Sequence, residues 1–388
     1  MTSLIALFLA PLTILTFCFA VEVFAGLRPL RRRHSSAVAG DVVIVVPAHD
    51  EEAILEARLK SLCDAAGASA RILVVADNCS DSTADIARAC GVEVIERADA
   101  DNRGKGFALD FARRHLRGAP PDIVIVMDAD CSTDRAGIDS LINACALSAN
   151  PCQATYLFTP APDASPTVQL SNFAFYVRNA VRQRGLQRLA RRVHLVGTGM
   201  AFPWVLFDRP ALATSNLVED LELGLELAAA GHPPLFVPDA TVWSDAATQR
   251  DTFHQRRRWE GGYLRSAARW VPRLLAQGLR DGNIRDLWAG ISLLIPPFAL
   301  LLILDFACLF LAGLATRISG ASDWPVMMAA GALLTASFGL ILAWVTGGSR
   351  FVSAASLAKA PLYVFWKLPL YLGLARRGAP KEWLRTGR

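Results

Sequence analysis

Much that would place a chain of 388 residues at once is missing from this one. Its 8 cysteines stand scattered at positions 18, 63, 79, 90, 131, 145, 152 and 308, with no CxxC pair and no repeated spacing. That argues against a zinc site and a disulfide framework, and for a reducing compartment. The first strand-like run ends in "PAHDEE", where a dinucleotide-binding chain would carry GxGxxG. "NRGKGFAL", residues 102–109, lacks the full spacing of a phosphate-binding P-loop. Neither NAD binding nor P-loop ATP hydrolysis is supported. Charge is scarce too: 19% of residues carry it, and the net formal charge is only +5. Much of that excess lies beside apolar runs, so nucleic acid is not the expected partner.

What is abundant is apolar surface, at 53% of residues. The chain is too apolar for an ordinary soluble protein and too charged to be mostly lipid-embedded, so a soluble domain with membrane segments is expected. Residues Leu4 to Leu27 are long enough to cross a hydrocarbon core of roughly 30 Å. No basic residue precedes them, and Arg28, Arg31, Arg32 and Arg33 follow, the reverse of a secretory signal. The reading is an uncleaved anchor over 1–30 with the next domain on the cytoplasmic side of a plasma or inner membrane. Leu287–Leu314 and Val326–Val345 read as further spans, making the chain multi-pass. The short loop between them carries Arg317 alone and suits the outside face. A last apolar stretch, Phe351–Leu374, is broken by Lys359, Pro361, Lys367 and Pro369. It reads as interfacial, leaving the basic tail 376–388 inside; a fourth span would put that tail outside.

Between the spans, Val/Ile runs of strand length alternate with helical patterns. "DVVIVVPAHDEE" is a strand ending at Pro47, and Glu52 to Ala66 a helix. "RILVVADNCSDST" ends a second strand at Asp77, with Asp81–Cys90 helical. "VEVIER" is a third, Lys105–Leu116 a helix, and "DIVIVMDAD" a fourth. The pattern predicts a catalytic α/β domain over 40–250 with a mostly parallel sheet covered on both faces. Such sheets bind ligands at the carboxyl ends of their strands, where His49, Asp50, Asp77, Asp128 and Asp130 fall.

Asp128 and Asp130, two apart at a strand end, offer hard oxygen ligands that suit Mg²⁺ or Mn²⁺ on a diphosphate; a polar turn is the plainer alternative. Small sugar diphosphates thus join anionic lipid headgroups as fitting partners. Asp77 is placed to hydrogen-bond a nucleobase or ribose, while Ser80 and Asp81 are explained by helix capping alone. In "NLVEDLELGLELAAAGH", Leu217, Leu221 and Leu225 make one helical stripe closed by Gly231. Glu219 and Asp220 lie in its first turn. That is ordinary charge placement, or a carboxylate kept ionised to take a proton from a hydroxyl. In "DTFHQRRRWEGGYLRSAARW", Gln255, Arg258 and Trp259 share one helical face, an indole and a guanidinium together suiting a sugar ring and phosphate oxygens. Arg250, Arg265, Arg269 and Trp270 are left as a membrane-facing surround, with 251–285 interfacial and 286–375 the C-terminal membrane part.

With these pieces assembled, the chain resembles the membrane-integrated family-two glycosyltransferases that include cellulose, chitin and hyaluronan synthases. The resemblance runs through "VVPAHDEE", "VVADNCSDST", "NRGKGFAL", "MDAD", "GTGMAF", "VED" and "QRRRW". It implies a GT-A type nucleotide-binding domain and a direct inverting displacement with a nucleotide-sugar, UDP-linked by preference, as donor. Asp220 would be the general base. Pro47, His49, Glu51, Asp77, Lys105 and Asp128 would bind the donor nucleotide, and Asp128 with Asp130 the metal. Gly197, Thr198, Gly199 and Glu219, with Gln255, Arg258 and Trp259, would line the sugar, diphosphate and acceptor pocket. Two departures stand out: Ala76 fills the first place of an Asp-Asp pair common there, and the spans are fewer than in polymer synthases. "EWLRT" near the end is similar to the tails of shorter bacterial members assigned to exopolysaccharide or glycolipid assembly. The resemblance implies transfer to a growing polysaccharide or membrane-bound glycan, with export or polymerisation subunits as further partners. Addition of one sugar to a lipid is the alternative, and a non-catalytic subunit of a secretion complex is weaker.

Overall fold

The computed structural model describes residues 1–30, 40–209, 212–214, 218–245 and 249–378, with backbone alone for 249–255 and 377. An apolar helix α1 (Thr2–Leu27) leads into an alternating series. It runs β1 (Val42–Ala48), α2 (Glu52–Ala66), β2 (Arg71–Asp77), α3 (Thr83–Ala89), β3 (Glu93–Arg97), α4 (Lys105–Leu116), β4 (Ile123–Val126), α5 (Arg135–Ser148) and β5 (Cys152–Phe158). α6 (Pro166–Tyr176), a π-helical segment (Val177–Arg182) and α7 (Gln183–Ala190) follow end to end. Then come β6 (Met200–Pro203), α8 (Trp204–Phe207), α9 (Glu219–Ala229) and β7 (Leu235–Ser244). The C-terminal part is α10 (Gln249–Arg280), α11 (Ile284–Leu294), α12 (Phe298–Ser319), α13 (Trp324–Thr346), α14 (Ala354–Leu357) and α15 (Ala360–Arg377).

The sheet has 7 strands in the order β3-β2-β1-β4-β6-β5-β7. β1 pairs in parallel with β2 and β4, and β2 with β3. β6 runs antiparallel between β4 and β5, so the parallel expectation holds with one reversed strand. Alternate residues of the Val/Ile runs serve opposite faces: Ile44 and Val46 pack under α2 and α5, Val43 and Val45 under α4. Burying each such side chain stabilises by about 1.5–3 kcal/mol, which is why these runs read as two-sided strands. Helices α2 and α4 have the predicted limits.

Among the described residues, three helices are long and apolar enough to cross a membrane: α1, α12 and α13. The span expected over Leu287–Leu314 is corrected, because the chain breaks at Ile295 to Pro297 into α11 and α12. Pro296 and Pro297 lack amide donors and disfavour helix in the residue before them. α15 is not of spanning character and packs onto α10: Lys367 is 3% exposed and paired with Glu260, whose other oxygen accepts from Tyr371 Oη at 2.6 Å. The tail from 379 onward lies outside the described residues.

α1 does more than present an apolar surface. Glu22 is fully buried, accepting from Arg182 Nε and from Ser292 Oγ, each at 2.6 Å. Gly26 lets α1 approach the Val181 carbonyl, and Gly185 lets α7 approach the Glu22 carbonyl, so closely that a Cβ would collide at either place. Phe19 and Val23 share a core with Phe173, Tyr176 and Val181 of the α6–π segment and with Ile295, Leu301 and Ala336. Removing one partner of a buried pair strands the other charge. Glu22→Ala is expected to destabilise the detergent-solubilised protein by about 3–5 kcal/mol, read as a lowered thermal unfolding midpoint. An unchanged midpoint would remove this pair from the scaffold.

Candidate active site

The carboxyl ends of β1, β2 and β4 deliver the polar side chains, and two short loops hold them there. Asp50 adopts φ +51° and its Oδ1 accepts from Ser80 N at 2.6 Å; Thr83 Oγ1 accepts from Glu51 N at 2.8 Å. These bonds tie the β1–α2 loop to the β2–α3 loop. His49 Nδ1 donates to the Asp77 carbonyl at 2.7 Å. The resulting cleft, of about 220 Å³, is lined by Pro47, His49, Glu51, Asp77, Arg103, Lys105, Asp128, Asp130 and Arg258. Nearly the whole donor-side set thus converges.

Asp77 is buried and engaged by a residue that sequence reading passed over. Arg97, ending β3, donates to its Oδ1 at 2.6 Å and also to Asp99 and the Asn102 carbonyl. Asn78 Nδ2 reaches the same Oδ1 at 3.0 Å, and Oδ2 carries no hydrogen bond among the described residues. Burial raises the Asp77 pKa more than Arg97 lowers it.

Lys105, the first residue of α4, reaches across the cleft to Asp128 and to the Gly197 carbonyl at 2.5 Å. Burial alone would depress its pKa, but Asp128, Glu219 and Asp220 outweigh that and hold it above the usual lysine value. Arg258 stands over the same group; burial lowers its pKa, and the Glu219, Asp128 and Asp220 charges work against that. A second cleft, of about 210 Å³, begins on the other side of Lys105 and contains Glu219, Asp220 and Met200. Lys105 is the wall between the two.

The loop 196–199 lies against Lys105 and Asp220. A Cβ on Gly197, at φ +94°, would lie 3.4 Å from Asp220 Oδ2 and 3.8 Å from Lys105 Nζ, so this backbone touches both groups. Gly199, at φ +63°, leaves no room either, since a Cβ would lie 2.7 Å from Val242 Cγ2. Thr198 Oγ1 accepts from Asp128 N at 3.0 Å. Gln153, fully buried in β5, accepts from Val196 N and donates to the Thr198 carbonyl, both at 2.9 Å. It too was missed, its partners lying more than forty residues along the chain.

Trp259 is half-buried and stacks on Phe175 at 5.9 Å, with Arg256 over its other contacts. The Gln255 side chain lies outside the described residues, as do Leu217 and Arg250. Trp270 is corrected: it is not membrane-facing but buried against α9, its indole donating to Glu222 at 2.7 Å. With Tyr263 and Leu274 it presses on Val218, Leu221 and Leu225, which fixes the first turn of α9 at the cleft.

Asp128, Asp130 and Cys131 bring their ligand atoms within 4.8 Å of one another. Burial pushes the Cys131 thiol far up, so the carboxylates are the usable donors, and hard oxygens with a diphosphate-sized cleft beside them fit Mg²⁺ or Mn²⁺.

A sequence profile described as "Glycosyltransferase like family 2" matches residues 39–271. The chain belongs to that family. A probable glycosyltransferase of Bacillus subtilis, YdaM, is 24% identical over 232 residues, covering 57% of this chain and 54% of the relative. The chain thus spans about half the length of that relative. Among solved structures, the mannosyltransferase PcManGT of Pyrobaculum calidifontis, in complex with GDP-Man and Mn²⁺, superposes with a TM-score of 0.57. Identity is 18%, and the likeness covers 95% of this chain and 100% of that one. At such identity it shows the fold: an α/β domain of GT-A type.

Glu219 and Asp220 titrate as a pair. Burial, then the neighbouring carboxylate, raises Glu219 to about 7 from 4.5, and burial raises Asp220 as well. A carboxylate raised on folding stabilises below its unfolded pKa and loses that contribution as pH climbs through the folded one. His194 acts with the opposite sign in part of the same range, its pKa held down at about 3 by burial and arginines, but it is common to wild type and variant. In metal-free protein the stability difference between wild type and Glu219→Gln should therefore fall as pH rises from about 4.5 to about 7. Thermal midpoints across that range measure it, and a flat difference would refute the shift.

Proposed function

We propose that the chain is an inverting glycosyltransferase that moves a sugar from a nucleoside diphosphate sugar, UDP-linked by preference, to a membrane-associated acceptor. One observation carries the reading: Lys105 joins two clefts, one holding the donor-side residues and the other Asp220. The nucleoside lies along His49 and Asp77, whose Oδ2 takes a ribose hydroxyl or base N–H. Pro47 and Glu51 close that end. Lys105 and Arg258 face the diphosphate, and Gly197, Thr198 and Gly199 give the sugar close access to backbone. Asp220, with Glu219 beside it, takes the proton of the acceptor hydroxyl as its oxygen attacks the anomeric carbon. The bond to the diphosphate breaks, its electron pair leaving with the nucleoside diphosphate. Mg²⁺ or Mn²⁺ on Asp128 and Asp130 supplies Lewis-acid neutralisation of the diphosphate. Gln255 and Trp259 belong to the acceptor side in this reading.

The catalytic domain lies on the cytoplasmic face, with α1, α12 and α13 in the membrane and α15 at its surface. With three span-length helices among the described residues, a short addition onto a lipid-anchored glycan is the first reading. Polysaccharide synthesis with partner subunits is the second reading, supported by the Gln255/Arg258/Trp259 spacing.

Asp220→Asn should lower turnover by about 10²–10⁴-fold while leaving nucleoside diphosphate binding intact, since a general base contributes to that extent. Full turnover in a folded Asp220→Asn protein would end its assignment. Incubation with labelled donor sugars in Mn²⁺ should give one discrete lipid-soluble product and none after chelation; a size ladder would favour the polymer instead.

A further inference from the structure

Behind the catalytic loop lies a third cavity, of about 80 Å³, bounded by the π segment, α10, α15, α1 and the Ile295–Pro297 break. Its charge does not balance. Four cations line it, Arg178, Arg182, Arg256 and Lys367, against two carboxylates, Glu22 and Glu260. Arg182 is taken by Glu22 and Lys367 by Glu260. Arg256 is buried; among the described residues its hydrogen bonds go to neutral oxygens of Ser171, at 3.0 to 3.2 Å, and its guanidinium faces the Phe175 and Trp259 rings. Arg178 lies over the Tyr263 ring at 5.6 Å and has no carboxylate partner among the described residues. Arg256 thus has no carboxylate partner among the described residues, and Arg178 meets carboxylate charge only through Asp220 and Glu260, the latter already shared with Lys367, so this desolvated place stays short of negative charge, which is costly unless an anion arrives. His194, on the same wall, has its pKa lowered by burial and by Arg182, Arg178 and Arg192, so it adds no positive charge there.

The opposite wall is apolar and comes from the membrane helices. Phe19 of α1 stacks on Phe298 of α12 at 5.2 Å, and Ile295, Pro297 and Ala299 continue it. A neutral glycan would have no use for two guanidiniums short of counter-charge, and a free anion none for this wall. We infer that the cavity receives the phosphate of a lipid-anchored acceptor, gripped by Arg178 and Arg256, with its hydrocarbon chain directed between α1 and α12. Guanidinium forks match phosphate oxygens in geometry as well as charge. Arg178 and Asp220 act on one another's charge, so an anion bound at Arg178 is electrostatically linked to the proposed base. The inference rests on the proposed transferase reading and names its acceptor class.

The test uses the full chain in uncharged detergent, with calorimetric titration of three probes: 1-oleoyl lysophosphatidic acid, monoolein and inorganic phosphate. Lysophosphatidic acid should bind at one site per chain, and Arg178→Gln and Arg256→Gln should each weaken it by tenfold or more. Arg178→Lys should recover part of the loss, and monoolein and inorganic phosphate should bind at least tenfold more weakly. Equal binding of inorganic phosphate would overturn the lipid assignment. Equal binding of monoolein, or undiminished binding to Arg178→Gln, would overturn the phosphate grip. Binding of UDP and GDP with Mn²⁺ is measured on the same samples. Its failure counts against the transferase reading and its retention in the arginine variants confirms their fold, so the two ideas fail separately.

Discussion

The site is organised by one ammonium group placed among too many carboxylates. Lys105 meets Asp128 directly, with Glu219 and Asp220 close on the far side and Arg258 above. Half-buried carboxylates cannot be gathered so densely without cations, because each loses hydration that only a partner charge replaces. Two cations facing Asp128, Asp130, Glu219 and Asp220 leave the cluster short of positive charge. Burial first, and then that shortage, raises the pKa of the Glu219–Asp220 pair, and the Asp128–Asp130 end suits a divalent cation. The shortage also explains why the arrangement needs a rigid frame, since like charges this close would otherwise drift apart.

The frame comes from both sides of the sheet and from the membrane helices. Gln153 fixes the 196–199 loop from below, and Trp270 and Tyr263 hold α9 from behind. The α6–π–α7 helix, which carries Arg178 and Arg182, is in turn clamped to α1 through Glu22, Gly26 and Gly185. A segment from the middle of the α/β domain is therefore packed into the same helical assembly as α1, α12 and α13.

Legibility followed the range of the interactions. The limits of α2 and α4 and the strands β1, β2 and β4 could be read because local patterns set them: two-sided Val/Ile runs, then amphipathic helices. Asp77, Lys105, Asp128 and Asp220 followed as polar residues at the strand ends or through resemblance. Arg97 and Gln153 were opaque, because the contacts that matter, to Asp77 and to the 196–199 loop, are made to other strands or loops, with no local pattern to mark them. The reversed strand β6 was hidden for a similar reason, being 4 residues long and paired only through distant strands. Trp270 misled because an indole among arginines has the composition of a membrane surface, and only the fold brings Glu222 to its N–H. The break at Pro296 and Pro297 was legible and was outweighed by the apolar run around it.

The arginine run of α10 shows what spacing alone could not. Arg256 and Arg258 are two apart, which on a helix of 3.6 residues per turn puts them on nearly opposite sides. Arg258 enters the donor cleft with Asp128, and Arg256 enters the membrane-side cavity with Arg178. Little more than half a turn of helix therefore separates the place proposed for a diphosphate from the place proposed for a second anion. Arg178 and Arg258 both act on the charge of Asp220, so in the proposed reading each anion place is coupled electrostatically to that carboxylate. On that reading a change at either arginine would alter the field at Asp220 as well as the anion it meets.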